Sequence, residues 1–203
     1  MSDALIEIRI HGRGGQGAVV ASEILARAAF LEGYFTQVFP QFGVERRGAP
    51  VLAFARFSRT PIRRRYHVYT PHHVLVLDPV LIRYVDVTEG LRPGGWIVIN
   101  APVAPESYTQ FSRFRVATVD ATSIAVRHGI GTATQPIVNT TMIGAFVRVT
   151  GLVRWENLER AIAETFPDAA EKNIRAAHEA YTSVQARTPF VVQGIYHRLQ
   201  YYP

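Results

Sequence analysis

Ile6, Ile8 and Ile10 alternate with Glu7 and Arg9, a period-two pattern that predicts a strand whose two faces meet different surroundings. Glycines follow at once, and over residues 18–32 the composition turns to helix formers. There Val20, Ile24 and Ala28 make one stripe, Ala21 and Leu25 lie beside it, and Gly33 supplies a stop. Residues 51–57 are a further strand candidate. Val74-Leu75-Val76-Leu77, closed by Asp78-Pro79, is the unbroken apolar run of a parallel strand buried on both faces. Trp96-Ile97-Val98-Ile99, after Pro93-Gly94-Gly95, and residues 116–119, before Asp120, have the same form. Helix-length segments separate these runs. In the last third, residues 140–149, 155–166 and 169–186 suit helices, with Gly151 and Pro167 as breaks. The order predicts the α/β class, as an open, Rossmann-like, mostly parallel sheet with helices on both faces and a helical C-terminal third.

Composition narrows the picture. The chain has 203 residues, 48% of them hydrophobic, with no linker, repeat or low-complexity stretch, so one domain is expected over residues 1–188. The tail, residues 189–203, carries Phe190, Tyr196, Tyr201 and Tyr202 and is too apolar for a free solvent tail. It is expected to be a subunit contact. The apolar runs are strand-sized, well short of the roughly 20 residues that cross a bilayer, and the first residues lack a basic-then-apolar signal, so the expectation is a cytoplasmic chain without a membrane span. Cysteine is absent, which removes thiolate nucleophiles and cysteine-held iron-sulfur clusters from this chain. Lys172 is the single lysine among 22 basic residues, so the net charge of +6 is almost wholly guanidinium, the group suited to bidentate contacts with phosphate or carboxylate. The arginines are spread along the chain and no nucleic-acid motif accompanies them, so no nucleic-acid partner is expected. Arg63-Arg64-Arg65 is read as a solvated or intersubunit face.

Gly12-Arg13-Gly14-Gly15-Gln16-Gly17 satisfies G-x-G-x-x-G between a strand and a helix, where such a turn can bring backbone N–H groups to a phosphate. The plain alternative is a tight turn that merely needs small residues. A dinucleotide site would also place an acid about 20 residues further on to hold the ribose hydroxyls. The sequence there reads Phe35-Thr36-Gln37-Val38-Phe39-Pro40, with no acid before Glu45. Glu45-Arg46-Arg47-Gly48 follows, which suits a ligand with additional phosphate, such as coenzyme A, better than a free diol. No catalytic set and no metal site emerges. Ser22 and Ser58 lack a nucleophile context, His72-His73 lacks a spaced third ligand, and Asp78 and Asp120 at strand ends read as caps.

The segment HGRGGQGAVVASEILARAAFLEGYFTQVFPQFGVERRGAPVLAFARFS resembles the gamma subunit, or gamma domain, of pyruvate and other 2-oxoacid:ferredoxin oxidoreductases. VYTPHHVLVLDPVL, VDVTEGLRPGGWIVIN, VDATSIA and PIVNTTMIGAF are similar to later blocks of that family in the same order. The resemblance implies a non-catalytic subunit of a complex that oxidatively decarboxylates a 2-oxoacid to an acyl-CoA. Thiamine diphosphate, magnesium and iron-sulfur clusters would sit on partner subunits, the thiamine-binding alpha and beta and the ferredoxin-like delta chains, with ferredoxin or another acceptor taking the electrons. It further implies that Gly12, Arg13, Gly14, Gly15, Gln16 and Gly17 form a phosphate-facing turn for coenzyme A, with Glu45, Arg46 and Arg47 in a neighbouring loop and Asn139 beside them. Pyruvate, 2-oxoglutarate, branched-chain and aryl 2-oxoacids are all compatible. Two rival readings are a stand-alone NAD-binding oxidoreductase, opposed by the missing ribose acid, and an assembly subunit whose glycine turn is only architectural.

Overall fold

In the computed structural model, which describes residues 5–42 and 49–188, seven strands form one mixed sheet in the order β2-β3-β1-β4-β5-β6-β9. β1 (Ile6–Arg13), β4 (His73–Val76), β5 (Trp96–Asn100) and β6 (Arg115–Val119) run parallel through its middle. β2 (Phe35–Phe42) and β3 (Pro50–Ser58) form an antiparallel hairpin whose second strand lies against β1 in register Ile10↔Ala53. β9 (Gln185–Arg187) closes the far edge antiparallel to β6. A separate two-residue ladder joins β7 (Gly131–Thr132) to β8 (Gln135–Pro136).

The faces are covered unequally. Leu75 and Leu77, Trp96 and Val98, and Ala117 and Val119 pack towards α1 (Ala18–Leu31), α2 (Ala121–Arg127), α3 (Asn139–Thr150), α4 (Trp155–Thr165) and α5 (Ala170–Ser183). Their strand neighbours Val74, Val76, Ile97, Ile99 and Val116 join Val87, Leu91 and Phe111 in a second, smaller core, covered by loops and short 3-10 turns. Because the central strands are covered on both sides, their sequences are continuous apolar runs. Ile8 and Ile10 of β1 belong to the helical side, which is why the isoleucines alternate.

Two expectations change. The last helix stops at Ser183, and Gln185–Arg187 leaves it as the edge strand; Val184 at φ −59, ψ 130 breaks the helical path. The segments between β4 and β5 and between β5 and β6 hold 3-10 turns, at Pro79–Arg83, Pro105–Ser107 and Thr109–Phe111, where helix-length stretches were expected. Prolines start two of these turns, and Asp78 caps the first by accepting from the Val80 N–H at 2.9 Å. No helix among the described residues is long and apolar enough to cross a membrane. The tail at 189–203 and its expected subunit contact lie outside the described residues.

The other face of β1 is polar yet buried: Glu7, Arg9 and His11 are 3%, 6% and 5% exposed, and Arg56 of β3 is fully buried beside them. Arg56 Nε donates to Glu7 Oε1 at 2.9 Å, and its Nη atoms donate to Gln37 Oε1 at 3.0 Å and to the carbonyls of Arg64 and Tyr66. The guanidinium also lies over the Phe39 ring, 5.0 Å from its centroid. One buried cation thereby joins β1, β2, β3 and the strap that follows β3. A buried charge is tolerated only when it is paired and hydrogen-bonded, so removing one partner strands the other. Arg56→Leu is expected to cost about 3–5 kcal/mol in urea unfolding, and adding Glu7→Leu to it is expected to restore part of that loss.

Three histidines are held neutral. Burial, first, and the neighbouring Arg9 charge hold His11 at about 3; burial and Arg92 hold His72 at about 4; burial holds His73 at about 3. The neutral rings accept hydrogen bonds: His11 Nε2 from Arg9 Nε at 3.1 Å, His72 Nδ1 from the Glu7 N–H at 3.0 Å, and His73 Nδ1 from the Trp96 N–H at 3.2 Å. In the unfolded chain each titrates near 6.5, so below that pH the unfolded state binds more protons. Their stabilisation is complete above about pH 6.5 and falls away as the pH drops towards 4, by about 1.4 kcal/mol per unit for each ring. Urea unfolding of the purified chain between pH 4.5 and 7.5 is expected to show this slope, and His72→Asn, which keeps an acceptor, is expected to remove one proton from it.

Candidate functional site

The turn between β1 and α1 is closed from within. Gln16 Oε1 accepts from the Arg13 N–H at 2.8 Å, the Gln16 N–H donates to the Arg13 carbonyl at 3.0 Å, and Gln16 Nε2 donates to Asp78 Oδ2 at 3.3 Å. Arg13 Nε lies 2.9 Å from the same carboxylate oxygen, but its N–H has no aligned acceptor, so that contact is charge pairing without a good hydrogen bond. Asp78, at the end of β4, therefore anchors the turn as well as capping its own 3-10 turn. The Gly14 N–H donates to the Ala49 carbonyl at 3.0 Å, tying the turn to the start of β3.

Gly17 has a left-handed backbone, φ 82, immediately before α1. A Cβ there would stand 2.7 Å from Asn139 Nδ2, so glycine is required twice, by conformation and by space. Gly15 is also left-handed, φ 96, but open space surrounds it. Asn139 is the first residue of α3 and 3% exposed; its Oδ1 accepts from the Thr140 N–H at 2.7 Å, while its Nδ2 has no acceptor among the described residues. The N–H groups of Gly15, Gly17, Ala18 and Val19 likewise have no acceptor among the described residues. A row of backbone donors and one amide thus faces the same opening.

That opening is a cleft of about 520 Å³. Arg13, Gly14, Gly15, Gly17 and Asn139 line it, Val20, Val51, Ile137 and Phe166 give it apolar walls, and Lys172 and Asn173 of α5 line it as well. Gly12, Arg13, Gly14, Gly15, Gln16, Gly17 and Asn139 are thus brought together in space, although Gln16 is turned inward and Gly12 packs against Ala18 and Leu77. Glu45, Arg46 and Arg47 lie outside the described residues. Lys172 and Asn173 were not singled out from the sequence, where a lysine on a helix flank carries no signal beyond being the only one in the chain.

β3 intervenes between β1 and β2, so β2 does not stand beside the turn as the second strand of a dinucleotide-binding unit does. Its end, Pro40-Gln41-Phe42, offers no acid. Fold and site place the chain among open α/β proteins with a glycine turn at the carboxyl edge of a parallel core and without the ribose acid of NAD sites. A family model described as pyruvate ferredoxin/flavodoxin oxidoreductase matches residues 7–183, and the chain belongs to that family. It is 52% identical over 182 residues, 89% of this chain and 97% of the other, to pyruvate synthase subunit PorC of Methanothermobacter thermautotrophicus. It is 49% identical over 185 residues, 89% of this chain and 98% of the other, to the pyruvate/ketoisovalerate oxidoreductases common subunit gamma of Pyrococcus abyssi. The crystal structure of pyruvate oxidoreductase subunit PORC from Thermotoga maritima superposes with a TM-score of 0.77 at 35% identity, covering 91% of this chain and 99% of that one. This chain is a gamma-type subunit of a 2-oxoacid oxidoreductase complex.

The double requirement at Gly17 is measurable. Gly17→Ala is expected to destabilise the chain by more than the roughly 1–2 kcal/mol that a left-handed non-glycine residue costs, and Gly15→Ala by about that conformational cost alone. In an Asn139→Ala background the excess at Gly17 is expected to shrink; equal penalties in both backgrounds would refute the contact.

Proposed function

We propose that this subunit binds the phosphates of coenzyme A at the glycine turn, within a complex that oxidatively decarboxylates a 2-oxoacid to an acyl-CoA. The observation that carries the reading is the convergence of unpartnered donors, the Gly15, Gly17, Ala18 and Val19 N–H groups and Asn139 Nδ2, on one cleft. Backbone N–H groups at a helix start, next to glycines that let a ligand approach, suit a phosphate. Asn139 fits such a group: its Nδ2 has no acceptor among the described residues, and the open space is beside Gly15. The polar-and-apolar lining suits a ligand with a phosphate end and a less polar remainder. Glu45, Arg46 and Arg47 belong to the segment that leaves β2 and returns at Ala49, whose carbonyl holds Gly14, and we assign that segment to the same ligand.

With no cysteine in the chain, cluster ligation by thiolate belongs to other chains, and we place thiamine diphosphate, magnesium and the iron-sulfur clusters on partner subunits. The bound thiamine cofactor supplies the decarboxylation, and the clusters carry the electrons to ferredoxin or another acceptor. This chain's share is to hold and orient the acyl acceptor. A stand-alone NAD enzyme is disfavoured by the position of β2 and the missing acid.

In the assembled enzyme, Arg47→Ala and Gly14→Val are expected to raise the coenzyme A concentration needed for acyl-CoA formation by roughly one to two decades, as befits the loss of a charge-assisted contact. Carbon dioxide release in the absence of coenzyme A is expected to change little. An unchanged coenzyme A requirement in both correctly assembled variants would transfer the reading to the architectural alternative.

A further inference from the structure

A second cleft, of about 290 Å³, opens on the sheet face turned away from the helices, whereas the glycine-turn cleft is lined from α1, α3 and α5. Gln41, Leu52 and His11 stand in one cross-strand row of β2, β3 and β1, so their side chains share that face, and Arg9, two residues before His11, shares it too. Pro50 and Val51 of β3 and Leu81 and Val85, from the chain that follows β4, line the same cleft.

Two buried donors in this lining are only partly used. Arg9, 6% exposed, donates from Nε to His11 and from Nη2 to the Val87 and Glu89 carbonyls, which leaves both N–H groups of Nη1 without an acceptor among the described residues. His11, 5% exposed, accepts at Nε2, so its neutral ring carries the proton on Nδ1, and that N–H likewise has no acceptor among the described residues. Buried polar groups are as a rule hydrogen-bonded, so these donors call for an acceptor that enters the cleft. A carboxylate answers a guanidinium and an N–H together.

Asp86 and Glu89 line the cleft as well. Asp86 Oδ1 accepts from the Thr88 hydroxyl at 2.6 Å and from the Thr88 N–H at 2.8 Å, bonds that hold its carboxyl below the usual range. Asp86 Oδ2 and the Glu89 carboxylate have no hydrogen-bond donor among the described residues. Both acids act electrostatically on Arg9, and Asp86 acts on His11, so acids and donors are close neighbours. A plain anion would join two carboxylates against one guanidinium, and a plain cation would leave the buried donors unused. A ligand that carries both charges on adjoining groups uses all four side chains. The walls are apolar, and the volume is small for a drug-sized ligand, on the scale of a small metabolite. We propose that this cleft binds a free α-amino acid with an apolar side chain, its carboxylate on Arg9 Nη1 and His11 Nδ1 and its ammonium on Asp86 and Glu89. A peptide does not offer both charges on one α-carbon. The site stands apart from the glycine turn and does not depend on the coenzyme A reading.

The test is calorimetric titration of the assembled oxidoreductase with leucine, with isocaproate, which lacks the amine, and with isoamylamine, which lacks the carboxylate. It is run on the wild type and on a variant combining Asp86→Asn with Glu89→Gln. Both replaced side chains are exposed, and the asparagine keeps the acceptor that Thr88 uses. The wild type is expected to bind leucine about tenfold or more tighter than either analogue, the scale of one charge-assisted contact, and the double variant is expected to lose the margin over isocaproate. Leucine no tighter than isocaproate would show that the acids read no ammonium; leucine no tighter than isoamylamine would show that the buried donors read no carboxylate. Either result overturns the inference. A heat that the double variant leaves unchanged would put the amino acid elsewhere in the complex, and no heat at all would leave the donors to water; each of these overturns it too.

Discussion

The contact between Gly17 and Asn139 is the constraint on which the candidate site depends. α1 follows directly on left-handed Gly17, and α3 brings its first side chain against that residue. With a Cβ at position 17 the Asn139 side chain would have to give way. From α3 the geometry passes to α5 through the Thr140–Asn173 hydrogen bond and the Gly144 crossing. Gly17 and Gly144 at the two close approaches therefore hold α1, α3 and α5 together around the cleft, and the unpartnered N–H groups are those of the helix start.

A second organising element lies on the opposite side of the sheet. Glu7, Arg9 and His11 point away from the helices into a layer made by the strap after β3 and the loop around Val87 and Glu89. Arg9 donates to the Val87 and Glu89 carbonyls, as Arg56 does to those of Arg64 and Tyr66. Buried guanidinium groups here take the place of missing secondary structure, satisfying carbonyls that no helix or ladder engages. This permits loops to cover a sheet face that a doubly wound protein covers with helices. It also gives Arg63-Arg64-Arg65 a definite place, on a strap whose backbone is held from below while the side chains stay exposed.

Much of this was legible along the chain. The apolar runs at 74–77 and 96–99 announce strands covered on both sides, the stripe through Val20, Ile24 and Ala28 announces α1, and the glycines between β1 and α1 announce the turn. The edge strand Gln185–Arg187 was not legible, because three residues of mixed character acquire strand geometry only from pairing with β6. The hairpin that sets β3 against β1 was equally hidden, since alternation gives a strand its faces but not its neighbour.

Periodicity, glycine placement and ordered motif blocks are local properties written residue by residue, and they suffice for the class of fold, the family and the position of the glycine turn. Only folding buries the polar face of β1, sets β2 one strand away from the turn, and brings Lys172 to line the same cleft as glycines far from it in sequence. The physical reason is that burial, pairing and facing depend on which distant segment arrives. Glu7 reads as a solvent-facing residue until Arg56 is beside it, and Lys172 as an ordinary helix flank until α3 carries α5 to the mouth of the cleft.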